Sequence, residues 1–264
     1  MIRQRLMTAL VLAAGLLIAL FALPPVAASA VFAILLLIGA WEWSALAGFP
    51  STSGRVIYAA AGLFVGAALW HFVEPGTGMT AIAAIDVAVW VVGLFWILRS
   101  PESVPRSYAV LSGLVALPFG WWLVTELLAG RGPWWVLLLI VVVAAADIGA
   151  FFSGRAFGRV KLAPRVSPGK SWEGVVGGVL AAATVGAITG VWLGLSVPRM
   201  VLLMVAIAAI SVVGDLTLSM LKRAAGVKDS GTIFPGHGGV LDRVDSLLAA
   251  LPLYLLGLGV ITGS

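Results

Sequence analysis

The chain has 264 residues, is 61% hydrophobic and only 10% charged, and its mean hydropathy is +1.12. Soluble domains carry about 25% charged residues, so a soluble globular protein is excluded and an integral membrane protein built mostly of spanning segments is required. The net charge of +5 rests on only sixteen Lys and Arg, whose placement follows topology rather than a nucleic-acid surface, and the absence of cysteine excludes disulfides, thiolate metal sites and a cysteine nucleophile.

Nine stretches are long enough to cross a hydrocarbon core that takes roughly 20 apolar residues. They lie near 6–23, 27–47, 56–73, 80–98, 108–129, 134–153, 173–195, 200–221 and 244–262. The expected fold is all-α and polytopic, a single integral membrane domain over 1–264, with a scaffold to about 130 and a catalytic part from about 134. Arg3, Arg5, the apolar run after them and Val26-Ala27-Ala28-Ser29-Ala30 resemble a secretory signal. The run is long for a signal and more spans follow, so a retained first span is expected. Pro24-Pro25, Glu74-Pro75-Gly76 and Arg131-Gly132-Pro133 break the early gaps. The longest gaps, near 154–172 and 222–243, are too short for a soluble domain, and no internal repeat is visible.

With the N-terminus inside, fourteen of the sixteen cations face one side, from Arg3, Arg5 and Arg55 through Arg155 and Lys170 to Arg243; only Arg131 and Arg199 lie opposite. The positive-inside rule then predicts a cytoplasmic N-terminus, an external C-terminus, and both polar gaps on the cytoplasmic face of the inner (plasma) membrane. Among the early acids, Glu42 sits between Trp41 and Trp43 near the inner boundary, where an interfacial cation is one partner to expect. Asp86 and Glu126 fall on the outer half, and none of the three is assigned a role.

The first polar constellation runs from 145 to 174. Asp147 stands near the inner end of the sixth span, five cations follow, Ser167-Pro168-Gly169-Lys170-Ser171 reads as a turn with a lysine at its tip, and Glu173 opens the seventh span. A topogenic basic loop accounts for the positive charge; it accounts less well for Asp147 and for a Gly/Ser pattern suited to an anion. Walker-type and dinucleotide fingerprints are absent.

The second constellation begins inside the eighth span. Asp215, Ser219, Lys222 and Arg223, at i, i+4, i+7 and i+8, share one helix face. An acid among apolar neighbours is a functional candidate unless Lys222 or Arg223 locks it. Residues 219–246 hold seven charged side chains: Lys222, Arg223, Lys228, Asp229, Asp242, Arg243 and Asp245. Gly231, Gly236, Gly238 and Gly239, with Pro235, preclude a regular helix and let backbone N–H groups approach an anion. His237 lies in that loop, as a hydrogen-bonded structural residue or as a catalyst. Asp242 and Asp245 open the ninth span one turn apart; the helix dipole explains one such acid but not two facing a buried third. If the loop doubles back, Asp215 and Asp242, 27 residues apart, make a hard-oxygen site for magnesium shared with phosphates.

At these segments the chain resembles the phosphatidate cytidylyltransferases, the CDP-diacylglycerol synthases. The family's pattern appears without a gap as Ser219, Lys222-Arg223, Lys228-Asp229, Pro235, His237-Gly238-Gly239, Asp242-Arg243 and Asp245, and the upstream Asp147 and SPGKSWEG also look like the family. Ile148 departs mildly, standing where relatives often carry a small polar residue. The resemblance implies that CTP and phosphatidate give CDP-diacylglycerol and pyrophosphate, with Mg2+, a second cation left open, and a homodimer in the bilayer. It implies Asp215 and Asp242 as metal ligands. Lys222, Arg223, Lys228, Asp229, His237, Arg243 and Asp245 are the expected catalytic set. Asp147, Ser167, Lys170, Glu173, Ser219, Gly238 and Gly239 are the expected substrate-binding set. A CTP-dependent lipid kinase, which would release CDP, and a transporter, which needs no nucleotide, are the rival classes.

Overall fold

The computed structural model describes residues 2–74, 77–99, 101–234, 236 and 238–263, with side chains from Met7 onward except that of Thr77. The helices are α1 (Ile2–Phe21), α2 (Pro25–Leu46), α3 (Thr52–Phe72), α4 (Thr77–Arg99), α5 (Arg106–Arg131), α6 (Pro133–Phe157), α7 (Trp172–Trp192), α8 (Val197–Ala224) and α9 (Leu241–Thr262), with strands β1 (Lys161–Ala163) and β2 (Ser167–Ser171) between α6 and α7. Among the described residues eight helices are long and apolar enough to cross a membrane; in α1 the apolar stretch is the shorter Met7–Phe21. The polytopic all-α expectation therefore holds, with a helix where the first of nine spans is expected.

Local chemistry sets the boundaries. Pro25 opens α2 at a position where its missing N–H costs nothing. Ser51 and Ser171 cap α3 and α7 by accepting from Gly54 N and Gly174 N, each at 3.2 Å. Gly132, at φ 91°, stops α5 and donates back to Leu127 O and Leu128 O at 3.2 and 3.1 Å, and Pro133 then starts α6. The turn expected at Ser167–Ser171 is instead a strand. β2 pairs antiparallel with β1, Lys161 opposite Ser171 and Ala163 opposite Ser167, so the reversal lies at 164–166 and Lys170 stands within a strand.

The chain divides into two compact units, each discontinuous in sequence. One comprises Met1–Met79, Ser103–Leu137 and Leu221–Val244. Its core is the packing of α2, α3 and α5 on one another. Trp43 and Trp122 are fully buried there; Trp43 Nε1 donates to Ala109 O at 2.8 Å, and the hydroxyls of Ser29 and Thr125 meet at 3.0 Å. The other unit comprises Thr80–Glu102, Leu138–Met220 and Asp245–Ser264. Small residues carry its close helix contacts. A Cβ on Gly149 would fall 2.7 Å from Gly177 O, and one on Gly214 would fall 2.6 Å from Asp245 O, so α6–α7 and α8–α9 approach nearly backbone to backbone. Asp86, expected near the lipid or in a structural role, is fully buried in α4.

Candidate active site

The second unit contains a cavity of about 460 Å³ framed by α6, β2, α7 and α8. That size suits a small-molecule ligand. Its polar lining comes from Asp147, Arg155, Lys170, Ser171, Ser211 and Asp215, set among alanine, glycine, valine and Phe151. Lys170 reaches it because the β1–β2 pairing holds Ser167–Ser171 extended and Ser171 caps α7 directly after it. Lys170 Nζ lies 2.5 Å from Asp215 Oδ2, and Ser219 Oγ donates to Asp215 Oδ1 at 3.2 Å. The Asp215 and Lys170 side chains remain 30% and 27% exposed, so the pair faces the cavity rather than being sealed in the protein. Cations beside part-exposed carboxylates suit a polyphosphate: the ammonium and guanidinium groups neutralise phosphate oxygens, and the carboxylates can share a divalent cation with them.

Sequence reasoning took Asp147, Lys170, Asp215 and Ser219 as site residues from two separate segments, and the structure unites them. Ser167 and Glu173 do not line the cavity. Glu173 instead accepts from Val160 N at 3.1 and 3.3 Å, tying the first turn of α7 to the residue before β1. Arg155, read only as a topogenic cation, does line it; its position two helical turns after Asp147 on α6 was the available signal.

Residues Leu221–Val244, which carry most of the second polar constellation, the signature segment, belong to the first unit and are built differently. Lys222 and Asp242 form a buried ion pair, Nζ to Oδ1 at 2.7 Å, their side chains 11% and 6% exposed. Asp242 Oδ2 also accepts from Ser230 N and Gly239 N, each at 2.9 Å, and lies 3.0 Å from Ser230 Oγ, whose one proton it shares with Glu42 Oε2. Gly238 has φ 79°, and a Cβ on it would fall 2.5 Å from Asp242 Oδ2, so glycine is required there twice over. Arg223, Lys228, Asp229 and Arg243 are exposed, and Arg223 Nη1 donates to Val227 O at 3.4 Å. Asp245, in the second unit, is buried and accepts from Ser246 N at 2.7 Å. His237 lies outside the described residues.

Glu42 is the residue that sequence reasoning missed in this segment. It is 3% exposed, and its partners are the loop and the start of α9 rather than an interfacial cation.

Among the described residues no group of three or more His, Cys, Asp or Glu could hold a metal ion unaided. Magnesium does not need such a cage, because it is commonly held by one or two carboxylates plus substrate phosphates. Asp215 and Asp147, hard oxygen donors opening on one cavity, fit that pattern. Asp242 already has Lys222 on one oxygen and two backbone N–H groups on the other, with the shared Ser230 hydroxyl beside them, and a cation there would have to displace one.

A family model described as the cytidylyltransferase family matches residues 3–260. The phosphatidate cytidylyltransferase of Pseudomonas aeruginosa is 40% identical over 264 residues, covering 96% of each chain. That of Haemophilus influenzae is 37% identical over 285 residues, covering 96% of this chain and 97% of its own. That of Brucella melitensis is 50% identical over 118 residues, 43% of each chain. Matched over residues 3–260 by a family model and over 96% of its length by two such relatives, the chain belongs to the cytidylyltransferase family.

Proposed function

We propose that this chain is a phosphatidate cytidylyltransferase, transferring CMP from CTP to phosphatidate to give CDP-diacylglycerol and pyrophosphate. The observation that carries this reading is a cavity in which Lys170, Asp215 and Asp147 meet, in a chain whose helices otherwise suit the bilayer and whose full-length relatives bear that name. An oxygen of the phosphatidate monoester forms a bond to the α-phosphorus of CTP, and the α–β bridging P–O bond breaks with its electron pair leaving on pyrophosphate. The nucleophile is already an anion near neutral pH, so the protein's task is to bring two anions together rather than to remove a proton. Lys170 and Arg155 neutralise triphosphate oxygens, with Asp147 and Ser171 orienting the bound nucleotide.

Magnesium belongs to this reading: held beside the triphosphate, it would supply charge neutralisation at the reacting phosphorus. Asp215 is the ligand that the cavity geometry supports; Asp242 enters from the sequence pattern alone. Lys222, Arg223, Lys228 and Arg243, with Asp229, His237 and Asp245, are proposed as the remaining catalytic set, and a homodimer as the assembly. The distribution of cations supports a cytoplasmic N-terminus and active site in the inner membrane, where CTP is available. The acyl chains stay in the bilayer, which spares an extraction worth about 0.8 kcal/mol per methylene.

The test is pyrophosphate release by the purified chain in mixed micelles of detergent and phosphatidate with Mg2+ and CTP. Release that depends on CTP and phosphatidate is expected, whereas release of CDP with a phosphorylated lipid would replace this reading with a lipid kinase. Near-parental turnover in both Asp215→Asn and Asp242→Asn would remove the metal assignment.

A further inference from the structure

Glu42 lies in α2, far in sequence from the signature segment, and its helix carries no cation to neutralise it. Its carboxylate is fully engaged. Oε1 accepts from Val240 N at 3.0 Å, and Oε2 accepts from Leu241 N at 2.9 Å and from Ser230 Oγ at 2.9 Å. Leu241 is the first residue of α9 and Val240 precedes it, so these N–H groups have no acceptor within the helix. Charge-assisted bonds to such amides are strong, and the positive end of the helix dipole adds to them.

The loop is shaped to this carboxylate. A Cβ on Gly231 would run into Glu42 Oε1, and one on Gly239 would run into both Glu42 oxygens and Ser230 Oγ. Ser230 Oγ also lies 3.0 Å from Asp242 Oδ2, so a polar chain runs from Glu42 through Ser230 and Asp242 to Lys222. The base of that chain is rigid. Trp43, the next residue, is fully buried and bonded to Ala109 O, and Gly39, one turn earlier, lets Leu117 and Leu241 close on α2. Glu42 cannot withdraw without disturbing the α2–α5 core.

We infer that Glu42 is a positioning residue for cytidylyl transfer: from α2 it fixes Ser230, Val240 and Leu241, and through them Asp242 and Lys222. The inference rests on the functional reading above. Glu42 touches no substrate, so its loss acts on how the reacting groups are held, and a misplacement of about 1 Å costs on the order of 100-fold in rate.

The experiment compares full-length Glu42→Gln, Ser230→Ala and Ser29→Ala with the parent in detergent micelles. Glutamine keeps the size but turns an amide donor toward backbone N–H groups; Ser29→Ala removes a hydrogen bond of the same helix pair away from the loop. Expected are a kcat reduced roughly tenfold to 100-fold in Glu42→Gln, a smaller reduction in Ser230→Ala, an unchanged kcat in Ser29→Ala, and unaltered KM for CTP and phosphatidate throughout. A parental kcat in both loop variants overturns the inference, as does a raised KM with kcat intact, which would mean substrate contact. Should Glu42→Gln not fold, Ser230→Ala carries the same split. Tryptic cleavage after the exposed Lys228, followed without substrate, is expected to quicken in Glu42→Gln; unchanged cleavage refutes the hold on the loop. If the parent itself releases no pyrophosphate, the functional reading fails separately, and the cleavage arm alone decides on Glu42.

Discussion

Asp215 and Asp242 are both aspartates on apolar helices, and both face a lysine, yet they are used in opposite ways. Asp215 has one lysine and one serine hydroxyl on its two oxygens, and it opens on a cavity. Asp242 has a lysine on one oxygen and two backbone N–H groups on the other, beside a Ser230 hydroxyl shared with Glu42, with its side chain only 6% exposed. A carboxylate offers about four acceptor positions, so Asp242, with three donors and a shared fourth, is close to filled and Asp215 is not. In a part-exposed, half-filled pair the lysine can turn to a phosphate and the carboxylate to a cation at small cost, because such pairs contribute about 0–1 kcal/mol. A buried, filled pair cannot lose a member without stranding a charge. The densest polar segment of a membrane chain is thus not by that fact its open binding site; the number of donors already on each acid decides.

The largest expected effect is on catalysis at the half-filled acid. Asp215→Asn should lower CTP-dependent pyrophosphate release at least about 100-fold, roughly 3 kcal/mol of barrier, while leaving the thermal midpoint near the parent's. Parental turnover would break the comparison at its first term. Lys222→Ala should lose stability as well as turnover. Removing one partner of a buried pair costs about 3–5 kcal/mol, read as a large drop in the thermal midpoint, and combining it with Asp242→Asn should restore part of the loss because no bare charge then remains. An unaltered midpoint in Lys222→Ala would show that the pair is no lock. Lys170→Ala, part-exposed, should raise KM for CTP more than KM for phosphatidate with little change in stability; the reverse order would assign Lys170 to the lipid.

The parts of this division that the sequence made legible are those set by local pattern. Apolar runs and Pro/Gly breaks located the helices, and the spacing of Asp215 and Ser219 predicted their shared face, which the bond between them bears out. The glycines were legible as a place where backbone amides meet an anion, but not which anion. Gly239 N and Val240 N point at Asp242 and Glu42, carboxylates of the protein itself. Glu42 was illegible because its partners lie 188 to 199 residues away, and only folding brings them to it. The hairpin was missed because Ser-Pro-Gly in β2 reads as a turn, and a pairing of so few residues is settled by tertiary context more than by propensity.

Smaller effects sharpen the same contrast through glycine. Gly239→Ala forces a methyl onto the Glu42 carboxylate and Ser230, and overpacking of this kind costs about 1–3 kcal/mol. A methyl on Gly169, which lines the cavity, would meet nothing within 4 Å, so Gly169→Ala should leave the thermal midpoint unchanged within about 0.5 kcal/mol. Equal melting of the two variants would mean that the loop is no tighter than the cavity wall.

The smallest expected effect is at Glu173. Both its oxygens accept from Val160 N, but it stands outside the cavity lining, at the base of the hairpin that carries Lys170. Glutamine retains one acceptor oxygen and the side-chain length, so Glu173→Gln should leave kcat and the thermal midpoint at parental values and raise KM for CTP by less than Lys170→Ala does. If its KM rises as far as that of Lys170→Ala, Glu173 meets the nucleotide directly, and the boundary of the site extends past Ser171 along the first turn of α7.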